Sequence, residues 1–185
     1  MQIGVPKETK NHEYRVGLSP SSVREIVSHG HQIVVEQQAG EGIGASDADY
    51  RSAGATVTGN VAGLFNDCDM IVKVKEPQAD EREMLHEGQI LFTYLHLAPD
   101  PEQTEDLVKS GATCIAYETV TSPHGGLPLL APMSKVAGRM AIQAGAHCLE
   151  QPHGGLGMLL GGVPGVPPAK VVILGSGVVG THATH

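Results

Sequence analysis

The 185 residues carry a formal net charge of −8, and 41% of them are hydrophobic. Aromatic residues make up only 3%, which argues against a platform for stacking nucleic-acid bases, and the negative charge argues against a surface for polyanions. Three scattered cysteines indicate reduced thiols, and neither a basic-then-apolar leader nor an apolar run of about 18 residues is visible, so we expect a cytoplasmic protein with no membrane partner.

Short apolar runs alternate with helix signals along the first two thirds of the chain. The runs at 3–5, 33–36, 70–74, 90–94 and 114–117 predict strands. Ser19 before Pro20, Asp47, and Asp100 before Pro101 predict helix starts, with ends near Gly30, residue 53 and Gly111. The alternation predicts an α/β fold with a mostly parallel, doubly wound, Rossmann-like sheet.

The composition changes to proline, glycine and leucine at 122–132, which indicates a domain edge. We therefore expect a first domain at 1–130 and, at 131–185, a linker helix followed by the start of a nucleotide-binding domain. Ser134 is a candidate cap for the linker helix, which is predicted to end near residue 150. Small residues along it (Ala137, Gly138, Ala141 and Gly145) predict that another backbone packs closely against it.

The segment K-V-V-I-L-G-S-G-V-V-G at 170–180 has the spacing of a dinucleotide-binding turn. Residues 171–174 suit a buried strand, and Gly175, Gly177 and Gly180 follow it as G-x-G-x-x-G. In such a turn the glycines allow a sharp reversal, a close approach of backbone to a pyrophosphate, and tight packing of the next helix. Glycine-rich loops also serve as plain turns, so the motif alone does not establish nucleotide binding.

Three charged or titratable residues come after successive predicted strands. Arg15 follows the first strand, Lys75 ends the run V-K-V-K, and His96 follows L-F-T-Y. Ligands of open α/β sheets collect beyond the carboxyl ends of strands. A guanidinium fork, an ammonium and an imidazole together suit a small 2-keto acid. Taken separately, Arg15 and Lys75 are also consistent with solvated charges, and His96 with a hydrogen-bonded histidine near the core.

Longer motifs carry a family resemblance. The segments M-Q-I-G-V-P-K-E-T-K, E-Y-R-V-G-L-S-P, V-K-V-K-E-P, T-Y-L-H-L, A-Y-E-T-V, A-P-M-S-K-V-A-G and L-L-G-G-V-P-G-V resemble alanine dehydrogenases and the alpha subunit of proton-pumping transhydrogenase. The similarity covers residues 1 to about 181. Transhydrogenase relatives generally lack the lysine and the histidine, so Lys75 and His96 favour the dehydrogenase branch.

The resemblance implies NAD-dependent oxidative deamination of L-alanine to pyruvate and ammonia, and the reverse reaction, in a homo-oligomer (hexamer or dimer) without nucleic acid. Arg15 and Lys75 would hold the substrate and His96 would be the acid/base. The implied NAD-binding residues are Ser134, Gly175, Gly177, Val178, Val179 and Gly180.

The last five residues depart from the family, whose members continue here as an alanine-rich helix. In the family, a second catalytic acid and the ribose-binding acid lie beyond the position of residue 185. We therefore expect this chain to be inactive alone and the strand at 170–174 to lack neighbours. The alternatives are a non-catalytic folded remnant and a transhydrogenase-like nucleotide-binding module. His182 and His185 could pair on a metal, but we predict no metal site.

Overall fold

A computed structural model describes all residues 1–185, and their contacts group them into two compact units, Met1–Thr119 and Val120–His185. The predicted functional boundary between residues 130 and 131 stays a prediction.

The first unit is built on one six-stranded sheet. Its strands are β1 (Gln2–Val5), β2 (Gln32–Glu36), β3 (Thr56–Thr58), β4 (Met70–Val72), β5 (Ile90–Thr93) and β6 (Thr113–Ala116). The spatial order is β3-β2-β1-β4-β5-β6, and every neighbouring pair is parallel. This is the doubly wound order with the first strand in the centre. The predicted α/β fold with a parallel sheet is confirmed.

Five helices connect these strands: α1 (Pro20–Ser28), α2 (Asp47–Ser52), α3 (Val61–Asp67), α4 (Ala79–Arg82) and α5 (Pro101–Ser110). They close two apolar cores. Val23 and Tyr50 pack with Ile33 and Val35 in one, and the other contains Phe65, Leu64, Ile71, Leu91 and Leu107. Ile33 and Val35 of β2 thus face the first core, whereas Val34 between them packs against the second, as burial on both faces of a parallel sheet requires.

The helix starts follow side-chain chemistry. The N–H of Ser22 donates to Ser19 Oγ, and the N–H of Gln103 donates to Asp100 Oδ1 at 3.0 Å, so both predicted caps are confirmed. The cap predicted at Asp47 is wrong by one residue. Ser46 is the cap, because its hydroxyl accepts from the N–H of Asp49 while the Asp49 carboxylate accepts from the N–H of Ser46.

The second unit contains α6 (Ala131–Cys148), α7 (Val178–Thr184) and a 3₁₀ turn at Gln151–His153. Ser134 is not the cap of α6. The helix begins three residues earlier, and the Ser134 hydroxyl lies 3.5 Å from the Leu130 carbonyl oxygen inside the first turn. The small residues do mark a close contact, since a Cβ on Gly138 would collide with the Val179 carbonyl of α7.

The apolar run before the glycine turn forms no strand. Residues 171–174 join no ladder, and Leu174 is 94% exposed. This agrees with the expectation that the run lacks neighbours, because an extended segment becomes a strand only by pairing its backbone with another. None of the seven helices combines the length and the apolar character that a bilayer crossing requires.

Candidate functional site

The sheet order creates a crevice beside its central strand. The chain leaves β1 to build β2 and β3 on one side, and β4 to β6 follow on the other. Ligands of doubly wound sheets bind at this switch point, beyond the carboxyl ends of the strands. The segments that follow β1, β4 and β5 carry Arg15, Lys75 and His96, so the fold brings all three to one edge of the sheet.

Arg15 presents its guanidinium as a planar fork that already holds a carboxylate. Its Nε lies 2.8 Å from Glu13 Oε1 and its Nη2 lies 2.5 Å from Glu13 Oε2. This hydrogen bonding lowers the pKa of Glu13 below its ordinary value and raises the pKa of Arg15. The geometry is the two-pronged one that arginine uses on carboxylates. A substrate carboxylate that bound Arg15 in this way would have to displace Glu13.

Lys75 influences this pair through its charge. The hydrogen bond from Arg15 is the main cause of the lowered pKa of Glu13, and the positive charge of Lys75 is a smaller cause. The backbone around Lys75 is fixed, because its carbonyl accepts from the Thr93 hydroxyl at 2.8 Å and the preceding N–H of Val74 donates to Glu8 Oε1 at 2.7 Å. The half-buried side chain therefore extends from a rigid strand end.

His96 adopts a left-handed backbone conformation, with φ of 48°. This conformation is unfavourable for most residues other than glycine and asparagine, and it is often found at functional sites. Glu118 stabilises it by accepting from the N–H of His96 at 2.9 Å and from the N–H of Leu95 at 3.2 Å. Burial raises the pKa of Glu118, but these backbone hydrogen bonds outweigh burial and leave the pKa below its ordinary value.

The imidazole of His96 is exposed and has two neighbours. Its Nδ1 lies 3.3 Å from Glu76 Oε2, and its ring stacks on Tyr94 with 6.0 Å between centroids. Glu76 also forms an ion pair with Lys10. Burial raises the pKa of Tyr94, and the positive charge of Arg15 partly opposes that rise. A carboxylate at Nδ1 fixes the ring while Nε2 is the other nitrogen that can exchange a proton.

A buried ion-pair network next to Lys75 was not predicted from the sequence. Lys73 is fully buried, and its Nζ lies 2.7 Å from Glu81 Oε1 and 3.4 Å from Glu8 Oε2. Burial raises the pKa of Glu8, and the charge of Lys73 opposes that rise. Because Glu8 also accepts from the backbone of Val74, the network fixes the strand end that carries Lys75. A lysine inside an apolar run was the available signal.

In the second unit, one cavity of about 600 Å³ brings together every residue predicted to bind the cofactor. It is lined by Ser134, Gly175, Gly177, Val178, Val179 and Gly180, among others. Gly175 has φ of 101°, which only glycine adopts readily, and a Cβ on Gly180 would collide with the Gly175 carbonyl oxygen. The first and third glycines thus perform the turn and the close packing of a dinucleotide motif. These residues fit a nucleotide's phosphates.

Comparisons with known proteins identify the family of the chain. The family model of the alanine dehydrogenase/PNT N-terminal domain matches residues 4–137, and that of the C-terminal domain matches residues 141–185. The chain is 62% identical to alanine dehydrogenase of Halomonas elongata and 51% identical to that of Mycobacterium tuberculosis, over all of its 185 residues and 50% of each relative. It therefore spans about half the length of the curated relatives it matches.

Two solved structures show the same fold. An L-alanine dehydrogenase matches with a TM-score of 0.91 at 57% identity, over 100% of this chain and 51% of that one. A transhydrogenase from Sinorhizobium meliloti matches with a TM-score of 0.79 at 28% identity, over 99% of this chain and 54% of that one.

Proposed function

Because the chain belongs to the alanine dehydrogenase/PNT family, we propose that it supplies the substrate-binding residues of an NAD-dependent L-alanine dehydrogenase. The reaction converts L-alanine, NAD⁺ and water into pyruvate, ammonium, NADH and a proton. The observation that carries the proposal is that the segments after β1, β4 and β5 bear Arg15, Lys75 and His96 at the same edge of the sheet, with Glu13 bonded to Arg15 and Glu76 beside His96.

Each of the three side chains has a defined part in this proposal. Arg15 grips the substrate carboxylate with its fork, releasing Glu13. Lys75 directs its charge to the second polar group of the substrate, the carbonyl oxygen of pyruvate. His96 accepts and returns the proton that water loses when it adds to the imine carbon, because imidazole changes its charge near neutral pH. Glu76 keeps the ring oriented through Nδ1.

A bound NAD would supply the acceptor for the hydride that leaves the substrate carbon. The residues proposed to hold it are Ser134, Gly175, Gly177, Val178, Val179 and Gly180, which line one cavity in the second unit. We also propose a homo-oligomer, a hexamer or a dimer, as the family resemblance implies.

The 185 residues alone should not turn over alanine. Hydride transfer requires the nicotinamide and the substrate carbon within about 3–3.5 Å in a fixed orientation. The run at 171–174 is unpaired and α7 has only seven residues, so no sheet holds the glycine turn in place. We expect no rise in NADH absorbance with alanine and NAD in excess. Turnover at an ordinary dehydrogenase rate would show that the turn is positioned well enough without a sheet.

A transhydrogenase-like nucleotide-binding module is the second candidate, and the Sinorhizobium meliloti match favours it. It predicts that the first unit does not bind pyruvate. The presence of Lys75 and His96 argues against this second candidate, because the transhydrogenase relatives generally lack both residues.

Pyruvate binding by the first unit tests the proposal directly. We would titrate pyruvate into the ¹⁵N-labelled chain and follow amide shifts, which should change around Arg15, Lys75 and His96. Arg15→Lys should weaken binding, because a point charge cannot replace the fork. The matched control is Arg24→Lys on the exposed side of α1, which should leave the affinity unchanged. Equal affinities of wild type and Arg15→Lys would remove Arg15 from the site, and absence of any shift would favour the module.

A further inference from the structure

Three side chains of types that can bind metal ions meet at the end of α6, outside the proposed substrate and cofactor sites. His147, Glu150 and His153 are all exposed, and one ligand atom of each lies within 4.8 Å of the other two. His153 Nδ1 is 3.3 Å and His147 Nδ1 is 4.0 Å from Glu150 Oε2. The two imidazole rings lie with their centroids 3.8 Å apart.

The backbone fixes this arrangement. The N–H of Glu150 donates to the His147 carbonyl at 3.2 Å, and the N–H of His153 donates to the Glu150 carbonyl at 3.0 Å. Two successive helix-like turns with a spacing of three residues place the side chains on the same side. Gly154 then reverses the chain with φ of 81°, and the N–H of Gly155 donates to the Glu150 carbonyl. The three donors are therefore presented by a short, hydrogen-bonded segment.

We propose that His147, Glu150 and His153 form a binding site for a divalent transition-metal ion such as Zn²⁺. Zn²⁺ forms bonds of about 2.0–2.2 Å to imidazole nitrogen and carboxylate oxygen, so tetrahedral ligand atoms lie about 3.3–3.6 Å apart. The 3.3 Å separation between His153 Nδ1 and Glu150 Oε2 already has this value, and His147 Nδ1, at 4.0 Å from the same oxygen, has to come closer by about 0.5 Å. Three protein ligands leave the fourth position to water.

The donor types also select the ion. Imidazole suits Zn²⁺, Cu²⁺ and Ni²⁺, whereas Mg²⁺ and Ca²⁺ take oxygen ligands. Other histidine groupings in the chain lack a third donor: His29 has only Glu25 beside it, and the rings of His182 and His185 are 6.2 Å apart. Bound metal would tie the end of α6 to the turn Gln151–His153, and it is not required for the proposed dehydrogenase chemistry.

Isothermal titration of the 185-residue chain with ZnCl₂ tests this site. We expect one ion per chain, no heat with MgCl₂, and zinc-dependent shifts of the His147 and His153 ring protons. Loss of a mere outer partner of a metal ligand costs about 10–100-fold in affinity, so His153→Ala and His147→Ala should each cost at least as much. All three side chains are exposed, so folding should be unaffected, which circular dichroism would check.

Two control variants make the assignment specific. His29→Ala removes a histidine that also faces a glutamate, and Cys148→Ser removes the exposed thiol nearest in sequence. Both should retain wild-type zinc affinity. Unchanged affinity in His153→Ala and His147→Ala would overturn the proposal, as would loss of binding in either control. The proposal would also be overturned if Zn²⁺ produced no heat and the ring-proton shifts of His147 and His153 changed no more than those of exposed histidines elsewhere. Glu150 would then be only an ion-pair partner of the two histidines.

Discussion

The fully buried Lys73 should be among the most costly residues to remove. In Lys73→Ala two carboxylates, Glu8 and Glu81, would remain in the interior without the ammonium that lies 3.4 and 2.7 Å from them. At an effective dielectric constant of about 20, these separations correspond to attractions of about 5 and 6 kcal/mol. Burying each ion offsets several kcal/mol of that, and breaking a buried pair typically destabilises a protein by about 3–5 kcal/mol. We expect a loss in this range at pH 7.

The loss should depend on pH in a defined direction. Burial already raises the pKa of Glu8, and the charge of Lys73 is the main influence that lowers it. Without Lys73, the folded state holds a proton on Glu8 to higher pH than the unfolded state does. A carboxyl whose folded pKa is raised loses stability as pH rises through that pKa. Lys73→Ala should therefore be less destabilised at pH 5 than at pH 8.

Tyrosine fluorescence during urea unfolding is a suitable assay. All four tyrosines (Tyr14, Tyr50, Tyr94 and Tyr117) lie in Met1–Thr119, and the chain has no tryptophan, so the signal reports on the first unit. Lys109→Ala is the control, because Lys109 is 71% exposed and its nearest carboxylate oxygens are 3.8 and 3.9 Å away. It should cost less than about 1 kcal/mol. Equal stability of the two variants, or a Lys73→Ala loss that is independent of pH, would refute the reasoning.

Three further predictions concern single residues. His96→Asn should leave the free energy of unfolding unchanged, because asparagine tolerates a left-handed backbone. His96→Val should lower that free energy by about 1–2 kcal/mol in the same urea assay. Equal stabilities of the two variants would contradict a strained backbone at His96. Arg15→Met should raise the pKa of Glu13 towards its ordinary value of 4.5, which a titration of the carboxyl ¹³C shift would measure. In the wild type, the stabilisation from this pair should be complete above pH 4.5 and should fade as the pH falls below that value. Gly138→Ala should speed amide hydrogen exchange in α7, because its Cβ would collide with that helix. Gly145→Ala places its Cβ in open space and should stabilise α6 by about 0.5–1 kcal/mol. Similar exchange rates in the two variants would argue against close packing at Gly138.

Most of the fold follows from local signals. Five of the six strands are apolar runs, and the caps at Ser19 and Asp100 act through chemistry that is visible in the sequence. The third strand, Thr56–Thr58, and the helix Val61–Asp67 were missed. Three residues are too few to show a period, and Gly63 weakens the helical pattern. Ladder pairing and core packing form these elements, and both depend on partners distant in sequence.

The residues of the candidate site could be predicted from the sequence, but their backbone conformation and their partners could not. Strand ends pointed to Arg15, Lys75 and His96. The left-handed backbone of His96 was not visible, because L-H-L contains no glycine and the conformation depends on Glu118, 22 residues later. The pairing of Lys73 with Glu8 joins residues that are 65 positions apart, so it appears only once β1 and β4 are neighbours.

The central position of β1 has a consequence for how the chain folds while it is being synthesised. Ile3 pairs with Ile33 on one side and with Met70 on the other. At about 5–20 residues per second, a ribosome needs about 2–7 s to pass from the end of β2 at residue 36 to the start of β4 at residue 70. Throughout that interval one edge of β1 is open to other chains. A nascent chain stalled after β3 should therefore be cleaved by protease near β1, and one stalled after β5 should be protected there. The strand that leaves the ribosome first waits longest for its second neighbour, which makes its open edge a natural place for a chaperone to act.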